Sequence, residues 1–417
     1  MSELALAAED FARLMESFDS VAPRVALAVS GGPDSMALAF CAQRWRKSSC
    51  VALIVEHGLR EESAEEAATV QRRLKAMGID AEILPWHHED SLVRVHEAAR
   101  RARYDLLTSA CRRLGAGDLL MAHHRGDQAE TVLMRLAKGS GLDGLAGIDP
   151  CLVRDGIRIL RPFLTIPRAR LEATCRAANI AVVHDPSNAS EKYARGRLRK
   201  VAPLLEREGF TEDRLIALRT HARDAREALE IMTRDFLARS GRVCPGGVVC
   251  VARDALATAP RAVALRALRA SLRYVHEGPY PPSYDALEAL LAAAWGDAPT
   301  WGRTVHGCMI SASSKSLRFF RELAAVSERV PLSAGQSVLW DDRWLVSSRT
   351  LSGVVRPLGV VSHAVCDAVA PDLRARVPWG RARATLPSLW DGDTLLAVPS
   401  FDSAAPLSAV YVKQTFP

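Results

Sequence analysis

The sequence predicts an α/β protein: a mostly parallel sheet with helices on both faces, followed by a helical domain and a small β-containing C-terminal domain. Three observations carry this. Residues 24–184 alternate short apolar runs with helical patterns, which implies crossover connections. Beyond about residue 210 apolar residues recur at steps of three and four, and after Trp301 short strands separated by turns take over.

Taken in order, Arg24–Ser30, Cys50–Glu56, Asp80–Leu84, Asp118–Ala122 and Ala181–His184 read as buried strands. Between them, helical patterns over Ser63–Met77 and Leu92–Leu114 end at Gly78 and Gly115, where a left-handed helix cap is wanted. A sheet built this way binds ligands at the carboxyl ends of its strands. Leu215, Leu218, Ala222, Ala225, Leu229, Met232 and Phe236 mark one long helix. A second helical stretch, Arg253–Trp295, is interrupted by the turn-rich segment 278–283. Strand–turn patterns follow at 304–311, 316–322, 337–346 and 389–398. Single cores stop growing near ~250–300 residues, so the 417-residue chain divides. The expected domains are 1–210, 211–325 and 326–417.

Hydrophobic residues at 48% and charged residues at 25% exclude a disordered chain. A net charge of +7 favours an anionic partner such as nucleic acid. The nine cysteines are scattered, without C-x-x-C, which argues against both a disulfide framework and a zinc ribbon and fits a reducing compartment. Residues 1–18 are acidic and amphipathic, with no basic stretch leading into a long apolar one. No uncharged apolar run of ~18 residues occurs later. No membrane partner is expected, and the expected setting is cytoplasmic.

The sharpest motif is Ser30-Gly31-Gly32-Pro33-Asp34-Ser35, directly after the apolar run RVALAV and directly before the helical run MALAFCAQRW. The glycines let the backbone turn tightly and approach a ligand, Pro33 suits the first helical turn, and free amides at a helix start are aimed at an anion. Ser30 and Ser35 add hydroxyl donors, and Asp34 offers a hard oxygen to magnesium. A plain strand-to-helix turn uses the same residue types. No Walker A pattern exists in the chain.

Further segments have less specific meanings when taken alone. Val55-Glu56-His57-Gly58-Leu59-Arg60 closes the second strand, and His57 there could equally be a satisfied strand-end histidine. Arg100 and Arg103 share a helix face, where arginines are usually solvated. His123, His124 and Asp127 follow a later strand, but a helix starting near Asp127 leaves His123 and Asp127 without a common face. Between Arg154 and Lys200, eleven Lys/Arg oppose four Asp/Glu, an excess of seven that equals the net charge of the whole chain. That run is either a solvated face or an RNA-binding rim.

The loop SGGPDS resembles that of the PP-loop ATP pyrophosphatases. With Glu97-Ala98-Ala99-Arg100, Ala122-His123-His124-Arg125-Gly126-Asp127-Gln128-Ala129-Glu130-Thr131, Arg161-Pro162-Phe163-Leu164 and His184-Asp185-Pro186-Ser187-Asn188 in this order, the first 200 residues are similar to the lysidine synthetase family. The resemblance implies an adenine nucleotide alpha-hydrolase-like sheet domain that cleaves ATP to AMP and pyrophosphate. Ser30, Gly31, Gly32, Pro33, Asp34 and Ser35 would cradle the pyrophosphate end of ATP with Mg2+ on Asp34, and His57 and Arg103 would assist. Asp34, His123, Asp127 and Arg197 would be catalytic. Asp127 would receive free L-lysine, while Arg100, Arg195, Arg199 and Lys200 would hold the RNA.

The implied reaction is adenylation at C2 of the wobble cytidine in the CAU anticodon of tRNA(Ile), then attack by lysine. Residues 211–325 would be a helical tRNA-binding or linker domain, and a homodimer is left open. A PP-loop tRNA thiolase or a small-molecule amide ligase would share the first half-reaction. Missing C-x-x-C argues against a cluster-type thiolase, and the basic stretch with the long C-terminal extension against the amide ligase. The chain departs from the family pattern at Glu56, where aspartate is usual, and at Gly126, which replaces an acidic residue, so Asp127 has more to do. Gly196 stands where asparagine is common.

Overall fold

The structure is a computed structural model that describes residues 4–46, 49–58, 62–87, 95–183, 194–278, 280–296, 298, 300–399, 407–412 and 416. The chain forms two compact units, residues 1–226 and 227–417.

The first unit runs α1 (Ala8–Glu16), β1 (Val25–Ala28), α2 (Pro33–Trp45), β2 (Cys50–Glu56), α3 (Ser63–Ala76), β3 (Asp80–Pro85), α4 (Val95–Leu114), β4 (Asp118–Leu120), α5 (Arg125–Ala137), α6 (Leu142–Leu145), β5 (Cys151–Arg154), β6 (Ile157–Leu160), α7 (Arg168–Ala177) and α8 (Ala194–Arg207). The boundary between the units falls within α9 (Glu212–Ser240). The strand order is β3-β2-β1-β4-β6-β5, parallel throughout except for β5.

Alternate strand residues feed two cores, because successive side chains point to opposite faces. Val25, Leu27, Ala52 and Ile54 pack with Phe11, Met36, Leu38, Leu74 and Leu171 of α1, α2, α3 and α7. Ala26, Val51 and Leu53 pack on the other face with Tyr104, Leu107 and Cys111 of α4. Burial on both faces explains why these strands are continuous apolar runs. From β1 the chain proceeds outward through β2 and β3, then returns to pair β4 on the other side of β1. The carboxyl ends of β1 and β4 therefore flank the crevice where such sheets take ligands.

One charged clamp fixes the opposite edge of this arrangement. Asp118, fully buried at the start of β4, accepts hydrogen bonds from Arg158 Nε at 2.7 Å, Arg158 Nη2 at 2.8 Å and the Ala22 amide at 2.6 Å. Arg158 also donates to the carbonyls of Asp19 and Ser20. The clamp joins β4, β6 and the approach to β1.

The strand expected at Ala181–His184 needs correction. Residues 181–183 form no strand, and His184 lies outside the described residues. The apolar Ile180, Val182 and Val183 pack on the core, and this stretch meets the site through one backbone bond, from the Val183 amide to the Gly31 carbonyl at 2.9 Å. The sheet is completed instead by the β5–β6 hairpin, which turns at Asp155 and Gly156 with positive φ of 51° and 78°. A two-residue turn with both φ positive matches the twist of the strands it joins.

The second unit contains β7 (Gly241–Cys244), β8 (Val248–Ala252), α10 (Arg253–Thr258), α11 (Arg261–Val275), α12 (Tyr284–Trp295), β9 (Trp301–Val305), β10 (Cys308–Ala312) and β11 (Ser316–Arg321). These strands form an antiparallel sheet, β7-β8-β11-β10-β9, on which the apolar faces of α11 and α12 pack. The β7–β8 hairpin thus falls between the two stretches expected to be helical, within the 211–325 domain. Two smaller sheets between residues 330 and 411 share a core around Trp340, Trp344 and Leu389.

Replacing Asp118 by Ala leaves the Arg158 guanidinium and the Ala22 amide without their acceptor. The expected loss is about 2–4 kcal/mol of stability, read as a lower urea midpoint. Unchanged midpoints in Asp118→Ala and Asp118→Asn would show that the clamp holds nothing together.

Candidate functional site

β1 ends at Ala28, and the glycine-rich loop turns the chain into α2. Gly31 has φ of +85°, and a Cβ there would lie 2.4 Å from Val70 Cγ2 of α3, so neither the backbone nor the space admits a side chain. Gly32 caps α2 and Pro33 opens it. The Ser30 amide donates to Ser35 Oγ at 3.1 Å, and the Ser35 hydroxyl donates to the Gly32 carbonyl at 3.1 Å. Ser35 therefore braces the loop from within, while the first-turn amides of α2 have no acceptor inside the helix.

The segment after β4 arrives beside it. His124 caps α5 with extended backbone, and its amide donates to Asp127 Oδ2 at 3.1 Å. Its imidazole is buried between two carboxylates, with Nε2 3.8 Å from Asp34 Oδ2 and 3.6 Å from Asp127 Oδ2. Gly126 makes this possible: a Cβ there would meet His124 Cε1 at 2.9 Å. On the other side of Asp34, Arg168 of α7 brings Nε to 3.7 Å from Oδ1. Asp34 Oδ1 is buried and has no hydrogen-bond partner.

Burial raises the pKa of Asp34, with Asp127 and Glu172 pushing the same way and His124 and Arg168 opposing. Burial also depresses His123, down to about 4, against the pull of Asp127 and with help from Arg161, Arg100 and Arg195. His123 is therefore a neutral imidazole at neutral pH, and its Nδ1 is buried without a hydrogen-bond partner.

These groups open onto a cavity of about 430 Å³. Leu53, Val55, Leu107 and Met121 give it an apolar side, facing the loop residues Ser30, Gly32, Pro33, Asp34 and Ser35. Arg103, His123, Asp127, Arg195 and Arg199 also line it. The last two belong to α8, where Glu130 of α5 draws both inward: Arg199 Nε lies 2.5 Å from Oε1 and Arg195 Nε 3.8 Å from Oε2.

Other expected site residues stand apart. Gly31 contributes backbone alone, and His57 reaches the wall through Arg103, whose Nη2 lies 2.7 Å from His57 Nε2. Arg100 lies over the Tyr104 ring at 5.5 Å. Arg197 and Lys200 are exposed on α8 and do not line the cavity. Leu59, Arg60 and residues 184–188 lie outside the described residues. Sequence reasoning gave no role to Arg168, His124 or Glu130, although the last two lie in a segment it singled out. Glu130 stands three residues after Asp127 on the same helix face. Among the described residues, no group of three or more His, Cys, Asp or Glu side chains is placed to hold a metal ion.

His123 carries a pH signature. The unfolded imidazole takes up a proton near 6.5 and the folded one only near 4. Between those limits the unfolded state binds more protons, so this residue makes stability fall as pH drops. Asp34 acts with the opposite sign, because its raised pKa lets the folded state take up a proton first. Replacing His123 by Gln is therefore expected to shrink the drop in Tm between pH 7 and pH 5 relative to the parent chain. An equal drop in both proteins would rule out a buried neutral histidine.

The sequence profile of the PP-loop domain matches residues 5–205. The chain is 46% identical over 275 residues to the tRNA(Ile)-lysidine synthase of Methylobacterium sp. (strain 4-46), covering 65% of this chain and 79% of that one. It is 42% identical over 299 residues to that of Rhodopseudomonas palustris, covering 69% and 85%. Against that of Ruegeria pomeroyi it is 36% identical over 407 residues, covering 95% and 93%. With the match to the Ruegeria protein running nearly end to end, and the glycine loop and the His123–Asp127 turn meeting in one cavity, the chain belongs to the tRNA(Ile)-lysidine synthase family.

Proposed function

We propose that this chain uses ATP to adenylate the wobble cytidine of the CAU anticodon of tRNA(Ile) at C2 and then exchanges AMP for free L-lysine. The products are lysidine, AMP and pyrophosphate. The observation that carries this, beside family membership, is the meeting of the SGGPDS loop with His123 and Asp127 in one cavity at the carboxyl ends of β1 and β4.

The carbonyl oxygen at C2 is a poor leaving group, so it must first become an ester. It attacks the α-phosphorus of ATP, the bond to the bridging oxygen breaks, and pyrophosphate leaves. The first-turn amides of α2 and Ser30 stabilise the departing charge. The apolar side of the cavity suits the adenine ring, with Arg103, braced by His57, at its edge. His123, being neutral, can hydrogen-bond the reacting groups without adding charge. In the second half-reaction the ε-amine of lysine forms the new C–N bond at C2 while AMP carries off the C2 oxygen. The amine must lose a proton to attack, and Asp127 positions it and accepts that proton.

Magnesium suits the donor set, since Asp34 Oδ1 is buried without a hydrogen-bond partner and Asp127 shares its neighbourhood. The ion takes one or two carboxylates and completes its shell with phosphate oxygens and water, so Asp34 would hold it with Asp127 alongside. When bound it neutralises charge on the leaving pyrophosphate.

Arg195 faces the cavity and takes the active-site role expected of an α8 arginine. Arg199, engaged by Glu130, keeps α8 in place. Arg197 and Lys200 are exposed and meet RNA phosphates, and residues 211–325 supply further tRNA contacts. No described helix is long and apolar enough to cross a membrane, and the substrates assign the enzyme to the cytoplasm.

Two carboxylate variants separate the half-reactions. With the fold intact by circular dichroism, Asp34→Ala should lower ATP–pyrophosphate exchange by more than tenfold, a transition-state loss above ~1.4 kcal/mol. Asp127→Asn should retain adenylation and accumulate AMP-modified tRNA without incorporating lysine. Exchange within tenfold in the first, or equal loss of both steps in the second, would overturn these assignments. Replacing Arg197 and Lys200 together by Ala should flatten the salt dependence of tRNA binding by roughly 0.7–0.9 in logarithmic slope for each phosphate left unneutralised. An unchanged slope would make this helix face merely solvated.

A further inference from the structure

The nine cysteines are all free thiols, and two of them have been brought together. Cys244 ends β7 and Cys250 lies in β8, on the two arms of a hairpin in which Arg242 pairs with Cys250 and Cys244 with Val248. Alternation along a strand puts Arg242 and Cys244 on one face of β7, and cross-strand pairing puts Val248 and Cys250 on the same face of β8. The two Sγ atoms lie 3.2 Å apart.

The turn that joins the two arms is tightly enclosed. It uses Gly246 and Gly247 at φ of +82° and +70°, and it is closely covered: a Cβ on Gly246 would lie 3.2 Å from Val377 Cγ1, and one on Gly247 2.6 Å from Tyr411 Cε2. Cys250 is buried at 4% exposure, whereas Cys244 is half-buried and Arg242 exposed. One sulfur therefore meets solvent beside a cation while its partner waits behind it.

We propose that Cys244 and Cys250 form a thiol–disulfide exchange site for low-molecular-weight disulfides, with Cys244 as the attacking sulfur and Cys250 as the resolving one. The Cys244 thiolate attacks one sulfur of R–S–S–R, forming a mixed disulfide and expelling RS⁻. Cys250 gives up its proton and attacks Cys244 Sγ, expelling the second RS⁻. The protein loses two hydrogens to form one intramolecular bond, and the small disulfide is reduced to two thiols.

The surroundings favour that direction. The Cys250 thiol and the Arg242 guanidinium hold Cys244 down to about 6, while Cys250 itself is pushed up. By contrast burial pushes Cys41 up to about 12 and Cys50, Cys111 and Cys175 up to about 11. A thiol that ionises near neutral pH and meets solvent is the one that reacts.

The test uses the full chain treated with oxidised glutathione, followed by peptide mapping without reduction. The parent is expected to show a Cys244–Cys250 link with loss of two hydrogens and no lasting glutathione on either residue. Cys250→Ser, which cannot resolve the intermediate, should keep glutathione on Cys244. Cys244→Ser should leave Cys250 unmodified, and Arg242→Ala should slow the reaction at pH 7 by several-fold while matching the parent at pH 9. If exposed Cys151 is modified while the hairpin peptides stay as free thiols, or if the parent keeps glutathione on Cys244, the proposal fails. Circular dichroism of the two serine variants shows whether the hairpin survives, and alkylation of Cys244 in the parent, faster than at the other cysteines, reads the same site without substitution.

Discussion

Two parallel strands in register, β1 beside β4, bring the starts of α2 and α5 to the same edge of the sheet, and the site answers to that pairing. Each helix start concentrates partial positive charge and unsatisfied amides. Two such ends side by side favour carboxylates and phosphates. Asp34 and Asp127 occupy the first turns of α2 and α5 respectively. Without β4 returning to the near side of β1, these two residues would belong to separate surfaces.

Asp34 nevertheless sits where its charge is disfavoured. Asp34 is desolvated, lies near a second acid, and is offset only by His124 and by Arg168 at ion-pair distance. A buried charge partly compensated in this way is a standing preference for a cation or a positively charged reactant. His123, held neutral next to them, keeps the same small volume from becoming a cluster of fixed charges.

What could be read from the sequence was local chemistry bounded by clear elements. Ser30–Ser35 was legible because turn residues stand between an apolar strand and a helix, and His123–Asp127 because it repeats that placement after β4. The roles of Arg168, His124 and Glu130 were not, since what matters about each is a partner brought close by folding: Arg168 and His124 meet Asp34, and Glu130 meets Arg195 and Arg199. The β5–β6 hairpin was hidden because Arg158 breaks the short apolar run of β6, and that same arginine is used in the Asp118 clamp. Val183 has the pattern of a strand residue because it is apolar and packs against the core, yet it contributes a single backbone bond to the loop. Cys244 and Cys250 are two of many scattered cysteines in the sequence, and only the Pro245–Gly247 turn folds them together.

Gly126 has no side chain, and the space it leaves is put to use. The His124 ring fills the volume into which a side chain at 126 would project. A side chain introduced at 126 would make the imidazole shift from its place between Asp34 and Asp127, and a smaller residue at 124 would leave a hole beside a bare glycine. Positions 124 and 126 are therefore sterically coupled, and a change at either one alters the room left to the other.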